Sequence, residues 1–381
     1  MTETKASVLH GPKDLRIESR LLEPLRENDL QIAIHTTTIC GSDVHYYTSF
    51  SNGSILATSP LTLGHESSGI VTAIGSEVTT FSPGDRVALE VGQPCSICPR
   101  CLEGRYNICP ELKFRSSAKL VPHTQGTLQL LLNHPAKWTF KLPREVPLSL
   151  GALVEPMAVA EHAVQRAGLE PGARVLVFGA GPVGCLVAAV ARGNGARVTV
   201  ADGNGGRVRF AVNGRWAGVT SWLGDGHVVP PVRGKIGVTE GLMRAQAVAS
   251  RLTENQQYDQ YDAVFECTGA MECLQTAIYV TRPGGKVMLI GMGTPVQTLP
   301  ISHAALHEID LIGVFRYANA YPAAIERLRK AKTELPDFST LLTHTFKGLE
   351  NVEKAFLMAS RPEDDEKKLV MKVAVQFGDD E

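Results

Sequence analysis

The sequence predicts an α/β chain in two parts, a β-rich first part and a second part built on a doubly wound parallel sheet. Three observations carry this. Residues 1 to about 155 alternate short apolar runs with Gly and Pro turns. From about 156, continuous apolar strands alternate with helical stretches, the pattern of a parallel sheet. The hexapeptide Gly179-Ala180-Gly181-Pro182-Val183-Gly184 joins one such strand to the helix after it. At 381 residues the chain is too long for one ordinary domain and long enough to bury a large core without disulfides.

In the first part, 30–34 and 69–74 read as strands, and Pro83-Gly84-Asp85 turns the chain into Arg86-Val87-Ala88-Leu89. In the second part, 159–166 reads as a helix broken by Pro171-Gly172. Strands follow at 174–178, 197–201, 262–266 and 286–290, with a small-residue helix through Arg192. The Gly- and Pro-rich stretch Gly224 to Gly241 is expected to be a long loop. Beyond 300, helices are expected at 322–331 and 350–359 and a last strand at 368–377.

Lys+Arg number 38 and Asp+Glu 39, for a net charge of −1. That balance, with no long basic run, argues against nucleic acid or an anionic membrane as the main partner. The longest apolar stretch, 175–191, is short for a membrane span. No apolar signal core follows Met1-Thr2-Glu3-Thr4-Lys5, so a cytoplasmic location is the default expectation.

The hexapeptide carries a Rossmann-type fingerprint, because Asp202 ends the next strand. The first Gly allows the tight turn, the second the approach of a pyrophosphate, and the third close packing of helix on strand. Pro182 and Val183 open the helix whose N–H groups face the phosphates. Asp202 accepts from a ribose 2′-hydroxyl and repels a 2′-phosphate, which favours NAD over NADP. Arg207 is placed to flank the adenosine ribose, or else is a solvated helix residue. Residues 203–206, Gly-Asn-Gly-Gly, look loose beside Asp202.

Four of the eight Cys crowd together as Cys95, Cys98, Cys101 and Cys109. Short Cys-x2-Cys steps wrap a chain around one tetrahedral ion, and four thiolates leave no open position, so a structural zinc is expected. An iron–sulfur cluster or a redox pair are the other chemistries such spacing serves.

Cys40-Gly41-Ser42-Asp43-Val44-His45, Gly64-His65-Glu66 and Glu155-Pro156 are individually weak motifs. Together with the four-Cys lobe, Gly179-x-Gly181-x-x-Gly184, Pro283-Gly284-Gly285 and Gly313-Val314-Phe315-Arg316-Tyr317, they resemble a zinc-dependent medium-chain dehydrogenase over nearly the whole chain. Within that superfamily the chain resembles the sorbitol/xylitol (polyol) branch, fungal-type in keeping the four-Cys lobe. The resemblance implies a GroES-like zinc-bearing catalytic domain at 1–157, a Rossmann NAD-binding domain at 158–302 and a return to the catalytic domain at 303–381. It implies two zincs per subunit, one catalytic and one structural. Cys40, His65 and Glu66 would ligate the catalytic zinc, with Glu155 beside its open position or ligating transiently.

Ser42 would conduct the departing proton. Tyr46, Glu155, Arg316 and Tyr317 would face the substrate. Ile290, Gly291, Met292, Phe315 and Arg316 would join the cofactor site. The implied reaction is hydride transfer from a secondary hydroxyl of a polyol (sorbitol, xylitol or L-arabinitol) to NAD+, in a homo-tetramer. A threonine or simple secondary-alcohol dehydrogenase is the neighbouring alternative, and a non-catalytic NAD-binding protein a more distant one. Retention of Cys40, His65, Glu66 and Glu155 speaks against the last. Two departures bear on substrate choice: Glu161 stands where the family has an apolar residue or Gly, and Leu130-Leu131-Leu132 where an aromatic or polar side chain is common.

Overall fold

A computed structural model describes residues 2–222, 237–253, 260–330 and 335–379. The chain divides into two compact units, one of Met1–Ala158, Ala318–Arg329 and Phe338–Glu381, the other of Val159–Tyr317 and Lys330–Asp337.

The first unit is built on a seven-stranded sheet. Its path runs Thr139–Lys141, Arg86–Leu89, Glu66–Ile74, Asp29–Thr38, Lys372–Gln376 and Leu342–Lys347, with Leu131–Pro135 also paired to Asp29–Thr38. Asp29–Thr38 is the hub. Its first half pairs with Leu131–Pro135 and its second half with Lys372–Gln376, both antiparallel. Alternation along it buries Leu30, Ile32 and Ile34. A three-stranded sheet, Asp14–Leu21, Glu3–Gly11 and Leu61–Thr62, stands beside it. The helix Gly41–Ser49 closes a core of Tyr46, Tyr47, Leu61, Leu63, Leu128 and Phe356.

The second unit is a six-stranded parallel sheet in the order Val219–Trp222, Arg197–Asp202, Arg174–Phe178, Tyr261–Glu266, Thr281–Leu289, Asp310–Gly313. Strand order reverses at Arg174–Phe178, and ligands of such sheets bind at the carboxyl ends beside that point. Val175, Leu176 and Val177 have no exposed surface, as expected for a strand covered on both faces.

Several elements differ from the sequence expectation. The parallel sheet continues past 302, because Asp310–Gly313 adds its sixth strand against Thr281–Leu289, and the chain rejoins the first unit at Ala318. Of the loop expected at Gly224 to Gly241, residues 224–236 lie outside the described residues, while Val238–Thr253 is helical. Residues 203–206 are not loose. The Asn204 side chain accepts from the N–H groups of Gly206 and Arg207 and caps the helix Gly205–Asn213. The helix after 320 runs Tyr321–Arg329, and residue 331 lies outside the described residues. The last strand is shorter than expected, Lys372–Gln376. No described helix is long and apolar enough to cross a membrane.

Candidate active site and metal centres

The helix Gly41–Ser49 starts at Cys40, whose backbone N–H donates to Asp43 Oδ2 at 3.2 Å. Gly64 takes φ 92°, a left-handed turn that a Cβ would crowd against Thr37, Leu128 and Thr127. That turn delivers His65 and Glu66 to the start of the strand Glu66–Ile74. The Sγ of Cys40, a ring nitrogen of His65 and a carboxylate oxygen of Glu66 lie within 4.8 Å of one another. Soft, borderline and hard donors at that spacing fit a zinc ion with a coordination position to spare.

Residues that the sequence reading gave no role hold these three. Asp43 Oδ1 accepts from His65 Nδ1 at 3.1 Å, from Ser116 Oγ at 2.6 Å and from Gly64 N at 3.2 Å. This fixes the imidazole and leaves Nε2 for a metal. Glu66 is gripped by the Thr38 hydroxyl and by Lys372 Nζ at 2.6 Å, and Lys372 also donates to Ile39 O at 3.3 Å.

The pocket concentrates negative charge. Burial disfavours the imidazolium of His65, yet the charge and hydrogen bond of Asp43, and then Cys40, outweigh it and raise its pKa well above the ordinary value. Burial likewise opposes the charge on Lys372, and Glu66 and Cys40 outweigh it and raise its pKa. A site that pulls cations this way suits a divalent metal.

Glu155 lies in the first turn of the helix Val154–Ala167 and is buried, but its carboxylate is not in the Cys40–His65–Glu66 cluster. Ser42 is half-buried on the same turn as Cys40. Tyr46 differs from its expected role, because it packs in the core and its hydroxyl accepts from Ala118 N at 3.1 Å. Asp43, Tyr46 and Tyr47 form the buried face of their helix, a spacing of three and four residues that the sequence already contains. Leu132 is buried in its strand, Leu130 is exposed, and Glu161 is half-buried.

Glu90, near Glu155 in charge terms, carries a buried Oε2 without a partner. Burial first, and then the like charge of Glu155, push its carboxyl from 4.5 up to about 7, against the hydrogen bond from Tyr106. Between those two values the folded chain holds a proton that the unfolded chain has released, so this group removes stability as pH rises through the window. Glu90→Gln is therefore expected to gain melting temperature on the parent between pH 5 and pH 8. A difference independent of pH would contradict it.

The four-Cys lobe is a second candidate metal centre. Sulfur separations are 3.9 Å for Cys95–Cys101, 3.5 Å for Cys98–Cys101 and 3.6 Å for Cys95–Cys109. A tetrahedron of sulfurs around zinc has edges of about 3.8 Å, so the four thiols fit one ion. The backbone N–H groups of Ile97 and Cys98 draw the Cys95 thiol down to about 7.

In the second unit the fingerprint residues gather at the carboxyl ends of the strands. Gly179 takes φ 97°, and a Cβ on Gly184 would lie 1.8 Å from Gly179 O, so only glycine lets helix and strand pack. Gly181 precedes the helix Pro182–Gly193, which has Pro182 and Val183 in its first turn. Asp202 Oδ2 accepts from Ala180 N at 2.7 Å, and Oδ1 accepts from Asn204 N at 2.7 Å. Arg207 Nη1 comes within 3.8 Å of where a Cβ on Gly181 would stand, and its buried Nε has no partner. An orphaned guanidinium donor above a Gly-rich turn fits a phosphorylated cofactor. Ile290 and Gly291 donate to Glu266 O at 3.0 and 2.9 Å, and Met292 is exposed. Phe315 follows the strand Asp310–Gly313, with the Arg316 guanidinium 4.7 Å above its ring.

Comparison with known proteins agrees with both units. Residues 26–144 match the family model of the alcohol dehydrogenase GroES-like domain, and residues 182–330 that of the zinc-binding dehydrogenases. The chain is 37% identical to sorbitol dehydrogenase of Arabidopsis thaliana over 94% of its length and 93% of that protein. It is 35% identical to L-idonate 5-dehydrogenase of Vitis vinifera over 94% of its length and 92% of that protein. The solved structure of L-idonate 5-dehydrogenase from Escherichia coli superposes with a TM-score of 0.83 at 25% identity, covering 99% of both chains.

Proposed function

The chain belongs to the zinc-binding dehydrogenases with a GroES-like domain, and we propose that it oxidises a secondary hydroxyl of a polyol (sorbitol, xylitol or L-arabinitol) to a ketose, passing the hydride to NAD+. The observation that carries this reading is the buried donor cluster of Cys40, His65 and Glu66, with Asp43 behind the imidazole. Relatives named for sorbitol and L-idonate support the polyol class.

A zinc ion held by these three residues supplies a Lewis acid that lowers the pKa of a hydroxyl. The chain does the rest. Asp43 keeps His65 in one orientation, and Thr38 and Lys372 keep Glu66 in place. Ser42 passes the hydroxyl proton outward. Buried Glu155 accepts from a hydroxyl of the polyol, and Arg316 and Tyr317 donate to others, so that both signs of partner are offered. The turn Gly179–Gly184 holds the NAD pyrophosphate at a helix N-terminus, and Asp202 accepts from the adenosine ribose hydroxyls. A second zinc in the Cys95, Cys98, Cys101 and Cys109 lobe is structural, and a cytoplasmic homo-tetramer belongs to the same reading.

A steady-state panel tests it, with pentitols, hexitols, threonine and simple secondary alcohols, each with NAD and NADP. Polyol oxidation is expected, with kcat/KM for NAD at least about tenfold above NADP, the ratio set by 1.4 kcal/mol of charge repulsion. Turnover of threonine with none of any polyol would overturn the substrate class, and preference for NADP would overturn the role of Asp202.

A further inference from the structure

We infer that the four-cysteine lobe is a positioning device for the substrate-side turn Arg316–Asn319, acting through Tyr106 and Gly104. This rests on the reading of Arg316 and Tyr317 as substrate-side residues.

The turn needs holding. Arg316 at φ 53° takes the left-handed region, which an arginine keeps only where its surroundings impose it, and Asn319 at φ 57° takes the same region, which asparagine adopts more readily. Tyr317 and Ala318 between them are buried, so the turn has little slack.

The lobe supplies the grip. Asn319 N–H donates to Tyr106 Oη at 2.7 Å, and Asn319 Nδ2 donates to Gly104 O at 2.9 Å. Tyr106 Oη in turn donates to Glu90 Oε1 at 2.7 Å, and its ring tilts against Trp138 at 5.0 Å. The hydroxyl is therefore fixed by two hydrogen bonds and its ring by Trp138.

Both contact points are wired to the cysteines. Gly104 N donates to Cys101 O at 3.0 Å, and Cys109 N donates to Tyr106 O at 3.1 Å. Displacing the thiolates displaces Gly104 and Tyr106, and with them Asn319. Two residues further on, Tyr321 Oη donates to Leu89 O at 2.6 Å, which anchors the far side of the segment independently of the lobe. A metal bound at the lobe thus sets the backbone conformation three residues from Arg316, with no part in the chemistry.

The test uses the metal-loaded full chain and two variants, Tyr106→Phe and Asn319→Gly. Asn319→Gly lies outside the lobe, keeps the backbone N–H bond to Tyr106 and tolerates the left-handed conformation, while removing the side-chain tie to Gly104. Tyr106→Phe is expected to raise the KM for the polyol about tenfold, with kcat and metal content within about twofold. Amide hydrogen exchange across 316–320 is expected to quicken about tenfold in Tyr106→Phe and about threefold in Asn319→Gly. Unchanged exchange across 316–320 in both variants overturns the inference. So does a fall in kcat as large as the rise in KM for the polyol, which would mean general loosening. A parent enzyme that oxidises no polyol removes the proposed function, but the exchange measurement still decides whether the lobe holds the turn.

Discussion

Cys40→Ser is expected to lower turnover at least about a thousandfold while the metal of the four-cysteine lobe stays in place. Loss of outer partners alone typically costs ten- to hundredfold in metal affinity or activity, and a ligand weighs more. A serine hydroxyl is not ionised at neutral pH, whereas a thiolate is a strong zinc ligand. Cys40 heads its helix and approaches His65 and Glu66, while the lobe cysteines form their own cluster, so the two sites should empty independently. Metal per chain and kcat, measured on the same preparation, check this. Parental turnover in the variant would rule out the Cys40 cluster as the catalytic centre.

Lys372→Met is expected to destabilise the fold by about 3–5 kcal/mol, the usual result of stranding one member of a buried ion pair. Lys372 is 5% exposed and Glu66 1%, with Nζ 2.6 Å from the carboxylate. In the metal-free chain, in which the urea unfolding is measured, the thioether leaves that carboxylate with the Thr38 hydroxyl and no countercharge. Pairing the change with Glu66→Gln should restore much of the loss, because the stranded charge is then gone. Urea unfolding of both single variants and the double variant measures the coupling. A loss below about 1 kcal/mol for Lys372→Met would show that the pair carries no weight.

Local chemistry was legible in the sequence and long-range support was not. Cys95, Cys98, Cys101 and Cys109 come together as a donor cluster because neighbours in the chain must be neighbours in space. Gly179, Gly181, Gly184 and Asp202 gather at one sheet end because one strand–turn–helix unit contains the turn and the next strand supplies the carboxylate. Asp43 lay inside a recognised motif, but its partners Gly64 and His65 arrive from another strand. Lys372 reaches Glu66 across 306 residues of chain, a distance that no spacing rule spans. Tyr46 is the instructive miss. Its motif suggested the substrate side, while its helical phase with Asp43 and Tyr47 already placed it toward the interior. The strand Asp310–Gly313 was missed for a similar reason, since four residues carry little periodicity of their own.

The pairing of Lys372 with Glu66 also bears on how the protein is made. Glu66 leaves the ribosome 306 residues ahead of its countercharge. The strand Asp29–Thr38 waits equally long for Lys372–Gln376, its neighbour along the second half. Translation order therefore sets a schedule in which the inserted unit is complete while the first unit still lacks an interior strand of its main sheet and its buried cation. A nascent chain stalled short of residue 372 is expected to carry the proposed metal ligands without the means to hold Glu66, so dehydrogenase activity should appear only once residue 372 has emerged.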